Sequence, residues 1–183
     1  MAALLDQLRR EHANIRGVLT VLERQVRAFA ADAHPDYALM QAAVEYLGSF
    51  PEASHHPKED LVFARLKARD PKALAAIGDL HGAHEKLKAN LLEFAEALRA
   101  VVADAEIPRS ALVHRAEAFL ELQRRHMAME EASFFPAVER TFNAADWEVV
   151  AMLLRPATDP LHGAAGDARF DALRRDIMAW EEN

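Results

Sequence analysis

The chain has 183 residues, 51% of them hydrophobic, with a formal net charge of −7, nine histidines and no cysteine. That length suits one domain with a sizeable core. The acid excess argues against nucleic acid as a partner, since phosphate needs a basic footprint, and the lack of cysteine excludes thiol catalysis, zinc–thiolate sites and iron–sulfur clusters.

Ala and Leu are abundant and Gly is scarce, which favours helices. The opening residues, Met1 to Asp6, lack the basic and apolar regions of a signal peptide. No stretch approaches the roughly 20 apolar residues of a membrane span. A cytoplasmic protein is the expectation.

The first helix is predicted from Leu5, Leu8, His12, Ile15, Leu19, Leu22, Val26 and Phe29, which alternate three and four residues apart. His12 stands where that seam calls for Leu. Ala30 to Pro35 is a break. Tyr37, Met40, Val44 and Leu47 restart the stripe, and His55, Glu59, Val62 and Leu66 continue it. Pro51 and Pro57 are expected to bend or split this second element, and Asp70-Pro71 to end it. The third helix carries Leu80, His84, Leu87, Leu91, Phe94, Leu98 and Val101, with His81 one turn before His84. After a loop from Ala103 to Pro108, a fourth helix is expected from about Ser110 as its cap. Its stripe is Phe119, Leu122, His126, Glu130 and Ser133, and Pro136 should weaken it.

These elements predict an all-α, up-down-up-down four-helix bundle over residues 1–142. Residues 143–183 read as a helical extension packed on it. There Asn143 would cap a short helix with Trp147, Val150 and Leu153, and Phe170, Leu173, Ile177 and Trp180 would form the last amphipathic face.

All four bundle helices carry polar groups in the seam: His12, then His55 with Glu59, then His84 with His81, then His126 with Glu130. Polar groups in a core cost free energy unless they are paired or bind metal. His55/Glu59 and His126/Glu130 repeat one spacing, histidine and carboxylate four apart, which places both on one helix face. Imidazole and carboxylate together suit iron, zinc, copper or manganese. Two alternatives stay open on spacing alone. His56/Asp60 forms a second pair beside His55/Glu59, and Glu131 lies five residues after His126 where Glu130 lies four. His55/Glu59 is preferred because Phe63 follows His55 by eight residues, as Phe134 follows His126. His56 reads as a supporting or surface residue. His34 and His114 read as solvent-facing, and His162 as structural.

The order Glu11-His12, His55-His56-Pro57-Lys58-Glu59-Asp60, His81-Gly82-Ala83-His84 and His126-Met127-Ala128-Met129-Glu130-Glu131, with Phe135-Pro136, resembles the hemerythrin family and its bacterial HHE cation-binding proteins. The resemblance runs from about Leu4 to Val138. Asp159-Pro160-Leu161-His162-Gly163 looks like a segment of one subgroup. It implies a di-iron centre, with zinc or manganese as substitutes. His12, His55, His84 and His126 would be terminal ligands, Glu59 and Glu130 bridges, and His81 a further candidate ligand. It also implies O2, NO or peroxide as the small ligand, bound or sensed, or iron-linked redox chemistry. Two other readings are an enzyme that acts on peroxide or NO or donates iron for repair, and a helical interaction module with a degraded or zinc-filled site. A homodimer through the Trp-bearing tail is a further option.

Overall fold

The computed structural model describes residues 3–155, 159–161 and 168–181, with the backbone alone for the last two. His162, Gly163 and the Trp180 side chain therefore lie outside the described residues. Every regular element among them is helical: α1 (Ala3–Ala30), α2 (Tyr37–Phe50), α3 (His56–Arg69), α4 (Leu80–Val102), α5 (Arg109–Met129), α6 (Phe135–Thr141), α7 (Ala144–Leu153) and α8 (Asp171–Glu181). Two π-helical segments, Pro51–His55 and Glu130–Phe134, join α2 to α3 and α5 to α6.

The expected break at Pro51 and Pro57, and the weakening at Pro136, take the form of these widened turns. Proline has no N–H and its ring crowds the carbonyl four residues back. Just ahead of Pro57, the His56 N–H donates to the Pro51 carbonyl, five residues back. Just ahead of Pro136, the Phe135 N–H does the same to the Glu130 carbonyl. The flanking residues keep right-handed helical angles, so the chain runs on as one rod through each junction. Such single-turn π segments are a recognised device at functional sites.

Four rods result: α1, α2–α3, α4 and α5–α6. α1 packs on α2 and α5, and α4 packs on α2 and α5, closing an up-down-up-down bundle. The starts of the rods follow from local chemistry. Asp36 accepts the Leu39 N–H at 2.9 Å and Asp79 accepts the Gly82 N–H at 3.2 Å. Asp70, before Pro71, takes φ −141° and ψ 81° and ends α3. Ser110 is not a cap: α5 begins at Arg109 behind Pro108, with no side-chain cap bond. Asn143 and Asp146 form a reciprocal capping box on α7. α8 lies on α1 and α2 and buries Phe170, Leu173 and Ile177. Gly17 permits that approach, since a Cβ there would sit 3.0 Å from Ile177 Cγ2.

Every predicted seam residue of α1 is buried. In α5 the inward face is Phe119, Leu120, Gln123, His126 and Met127, with Leu122 and Ser133 only half-buried. The core is in two pieces. One is built from Ile15, Leu19, Leu22, Met40, Tyr46, Phe94, Phe119 and their neighbours. The other holds Leu5, Leu8, Val62, Leu66, Leu80, Phe134, Phe135 and Val138. Each fully buried Leu or Phe contributes about 1.5–3 kcal/mol. Between the two pieces all four rods place polar groups.

Candidate metal centre

That middle layer holds His12 from α1, His55, His56 and Glu59 from the π segment and α3, His84 from α4, and His126 and Glu130 from the last rod. All seven are buried, and Glu59, Glu130 and His12 are 0% exposed. Glu59 sits between three imidazoles. Its Oε1 is 3.4 Å from His12 Nε2 and 3.3 Å from His55 Nε2, and its Oε2 is 3.4 Å from His84 Nε2. Glu130 mirrors it, with Oε2 3.3 Å from His12 Nε2 and Oε1 3.0 Å from His126 Nε2 and 3.7 Å from His84 Nε2. The rings form two sets. His12 and His55 have centroids 4.9 Å apart, whereas His56 stacks on His84 at 4.1 Å, and His84 meets His126 edge-on at 4.8 Å.

Two groups bring one ligand atom per residue within 4.8 Å of one another: His12, His55 and Glu59; and His56, Glu59, His84 and His126. Glu59 belongs to both. None of these contacts satisfies the inward-facing atoms as hydrogen bonds. His12, His56, His84 and His126 Nε2 and all four oxygens of Glu59 and Glu130 are buried without a partner. Orphaned buried polar atoms are rare and need an explanation. Imidazole nitrogens and shared carboxylate oxygens converging on one volume fit a pair of divalent or trivalent cations.

The protons in this layer are held by the same forces. Burial opposes the charged form of His12, but its contacts with Glu130 and Glu59 outweigh that and hold it up at about 10. His84 is likewise carried against burial to about 11 by Asp60, Glu130 and Glu59, and His55 to about 8 by Glu59 and Glu11. Burial raises Glu130, yet its histidines bring it down to about 2, and Glu59 is driven well below the usual carboxylate range. His56 goes the other way, because burial disfavours its charge. Protons thus sit where a cation would compete for the same atoms.

Six of the seven sequence-predicted residues, His12, His55, Glu59, His84, His126 and Glu130, are brought together. His81 is not. Its side chain is 70% exposed and faces Asp60 at 3.4 Å. On a helix, a residue three positions from His84 and at the edge of the seam can point to solvent, and α4 turns His81 that way. His56, read from sequence as a supporting or surface residue, takes a place in the layer. Consecutive helical residues point about 100° apart. His55 therefore faces α1 while His56 faces α4, and both lie inside. The members of the two carboxylate pairs differ in position. Glu59 and Glu130 face the centre. Asp60 reaches His84 Nδ1 at 3.2 Å and Glu131 reaches His12 Nδ1 at 3.0 Å.

One signal for this lay in the chain unread. Glu52-Ala53-Ser54-His55-His56-Pro57 and Glu131-Ala132-Ser133-Phe134-Phe135-Pro136 are the same pattern, Glu-Ala-Ser followed by two rings and a proline. Each marks one π segment.

The hemerythrin HHE cation-binding domain family matches residues 3–138. The chain belongs to this family. No curated protein and no solved structure matches it. The match ends at Val138, within α6, so the hemerythrin-like unit contains all four rods up to that residue and every residue of the polar layer. No helix among the described residues is long and apolar enough to cross a membrane.

Proposed function

We propose that this chain holds two iron ions in its polar layer and binds or senses O2 or NO, or takes part in iron-linked redox chemistry. The observation that carries the reading is the set of eight buried, unpartnered imidazole and carboxylate atoms aimed at one volume. His12 and His55 would hold one ion. His56, His84 and His126 would hold the other, and Glu59 and Glu130 would lie between them. His56 enters this set in place of His81. An iron pair would supply reversible binding or reduction of a diatomic ligand. In this reading residues 143–183 form a C-terminal helical extension packed on the bundle, with α7 against α3 and α8 against α1 and α2, and the protein works in the cytoplasm.

The chain's own contributions are positional. The carboxylates neutralise cation charge from both sides. The His12/His55 set has one imidazole fewer than the other, so its ion would keep more coordination free for an added ligand. Phe135 stacks on His12 at 5.4 Å, Phe134 lies 5.5 Å from Phe135, and Phe63 meets Phe134 edge-on at 5.9 Å. This aromatic wall keeps water from one side of the layer.

The test is anaerobic Fe(II) titration with metal analysis, followed by exposure to O2 or NO in an optical cell. Two irons per chain and a new absorption band that reverses when the gas is removed support ligand binding. Two irons with rapid irreversible oxidation support redox turnover. Failure to take up two irons refutes the reading.

A further inference from the structure

Every inner imidazole but one is gripped from behind. His12 Nδ1 donates to Glu131 at 3.0 Å, His55 Nδ1 to Glu11 at 2.8 Å, His56 Nδ1 to Glu52 at 3.0 Å and His84 Nδ1 to Asp60 at 3.2 Å. His126 has no such carboxylate among the described contacts. Three of these grips cross between rods, and each comes from the chain neighbour of an inner residue. Glu131 beside Glu130 holds α1, Glu11 beside His12 holds His55, and Asp60 beside Glu59 holds α4. The ring runs from the last rod to α1, to α3, to α4, and stops short of closing back on His126.

Three of the gripping carboxylates are met by a cation, Glu131 by Arg16 at 2.7 Å, Glu11 by Lys58 at 2.6 Å and Glu52 by Lys88 at 3.5 Å, and Asp60 is met by the His81 imidazole at 3.4 Å. Three of the carboxylates reach water, with side chains 36%, 26% and 36% exposed for Glu131, Glu52 and Asp60. Glu11 does not: its side chain and that of Lys58 are each 6% exposed. The buried pair is closed off by the Gln7 amide, which donates to Glu11 at 2.8 Å, and by the Phe50 ring, 5.6 Å from Lys58 Nζ.

A buried ion pair is poor value as a stabilising device, because desolvation offsets its attraction. We propose that Glu11 and Lys58 are positioning residues for one ion only, the one His12 and His55 would hold. The proposal rests on the di-iron reading above. An ionised Glu11 can only accept, so it fixes the Nδ1–H tautomer of His55 and leaves Nε2, beside Glu59, as the free lone pair. Lys58 holds the Glu11 oxygen that His55 does not use and keeps the carboxylate from turning. The two ion positions are therefore held unequally: one has a grip that water cannot reach, on His55, beside the Glu131 grip on His12, whereas the other has only grips that water reaches.

Glu11→Gln tests this. The amide has one acceptor oxygen for three donors, His55 Nδ1–H, the Lys58 ammonium and the Gln7 amide, so the His55 grip is lost or shared. Anaerobic Fe(II) titration by calorimetry on the full chain should show one iron bound as in the parent and the second weakened by about 10–100-fold. Glu11→Gln/Lys58→Met should be no worse than Glu11→Gln, because Lys58 acts through Glu11. Long-range proton–nitrogen NMR of the zinc-loaded protein should show the His55 Nδ1–H signal displaced in Glu11→Gln, with that of His84 unmoved. If Glu11→Gln does not fold, Glu11→Leu/Lys58→Met removes the charge pair at similar volume and should show the same selective loss. Equal weakening of both irons, or of neither, overturns the proposal. A parent protein that takes fewer than two irons overturns the di-iron reading instead, before any variant is made.

Discussion

Loading iron should raise the melting temperature by about 10–20 °C, and His126→Ala should cut that rise to about half. The polar layer is the reason. In the metal-free chain it buries eight imidazole and carboxylate atoms that no hydrogen bond satisfies, each a cost on the folded state. A cation bound only by the folded chain stabilises it by about 2.7 kcal/mol at a free concentration 100 times its dissociation constant. Two ions give about 5 kcal/mol, and for a chain of this size 1 kcal/mol moves the midpoint by about 2–4 °C. His126→Ala removes one of three imidazoles from the set that includes His56 and His84, so one ion is lost and the other kept. The assay is thermal unfolding under argon followed by circular dichroism, with metal analysis of the same samples. A rise below about 3 °C at saturating iron, or the same rise in parent and variant, would refute the burial argument.

The metal-free chain should be most stable in mildly acid buffer. His12, His55 and His84 are raised from 6.5 to about 10, 8 and 11, so the stability they provide is whole below about 6.5 and fades as pH climbs through 8 to 11. Glu59 and Glu130 are lowered from 4.5, so theirs is present above that value and fades in stronger acid. His56 is lowered from 6.5, which softens the acid side. Melting temperature against pH, with chelator present, checks the order; a maximum above pH 8 would contradict it. His81→Ala should leave iron stoichiometry unchanged and His56→Ala should remove one iron, as metal analysis would read; the opposite pattern would restore His81 as a ligand. Asp146→Ala should cost about 1–3 kcal/mol in urea unfolding without changing iron uptake. It removes the Asp146 side chain's half of the α7 capping box, the acceptor of the Asn143 N–H, and the partner of Arg65, which lies 2.5 Å from Asp146.

The bundle was legible because its helices obey one rule, apolar residues three and four apart, and only packing against another helix satisfies that pattern. The inner imidazoles were legible as violations of the same rule: His12, His84 and His126 each stand where Leu belongs. Periodicity could not give orientation at a proline. Pro57 widens the turn before it, and that decides that His55 and His56 both face inward. Nor could spacing separate His81 from His84, since residues three apart sit near the edge of one face and the exact rotation of α4 chooses between them. The outer carboxylates were hidden for a different reason. Glu11 looks like ordinary surface charge, and Asp60 and Glu131 look like rivals of Glu59 and Glu130, until the neighbouring rod is in place, and their partners lie 44, 24 and 119 positions away.

The two π segments also fix how this chain can change. A π turn winds one more residue into about the same rotation as an α turn, so it absorbs that residue locally and leaves the faces on either side in register. Phe50 and His55 are both buried although five residues apart, where an even α-helix would return to that face after four. Deleting Ala53 or Ala132 would therefore restore even winding and still leave Glu59 and Val62, or Phe135 and Val138, on the bundle interior. What it would remove is the wide turn that lets two neighbouring rings, His55 and His56, share the polar layer. The packing of the rods can survive the loss of that one residue; the crowding of donors between them cannot.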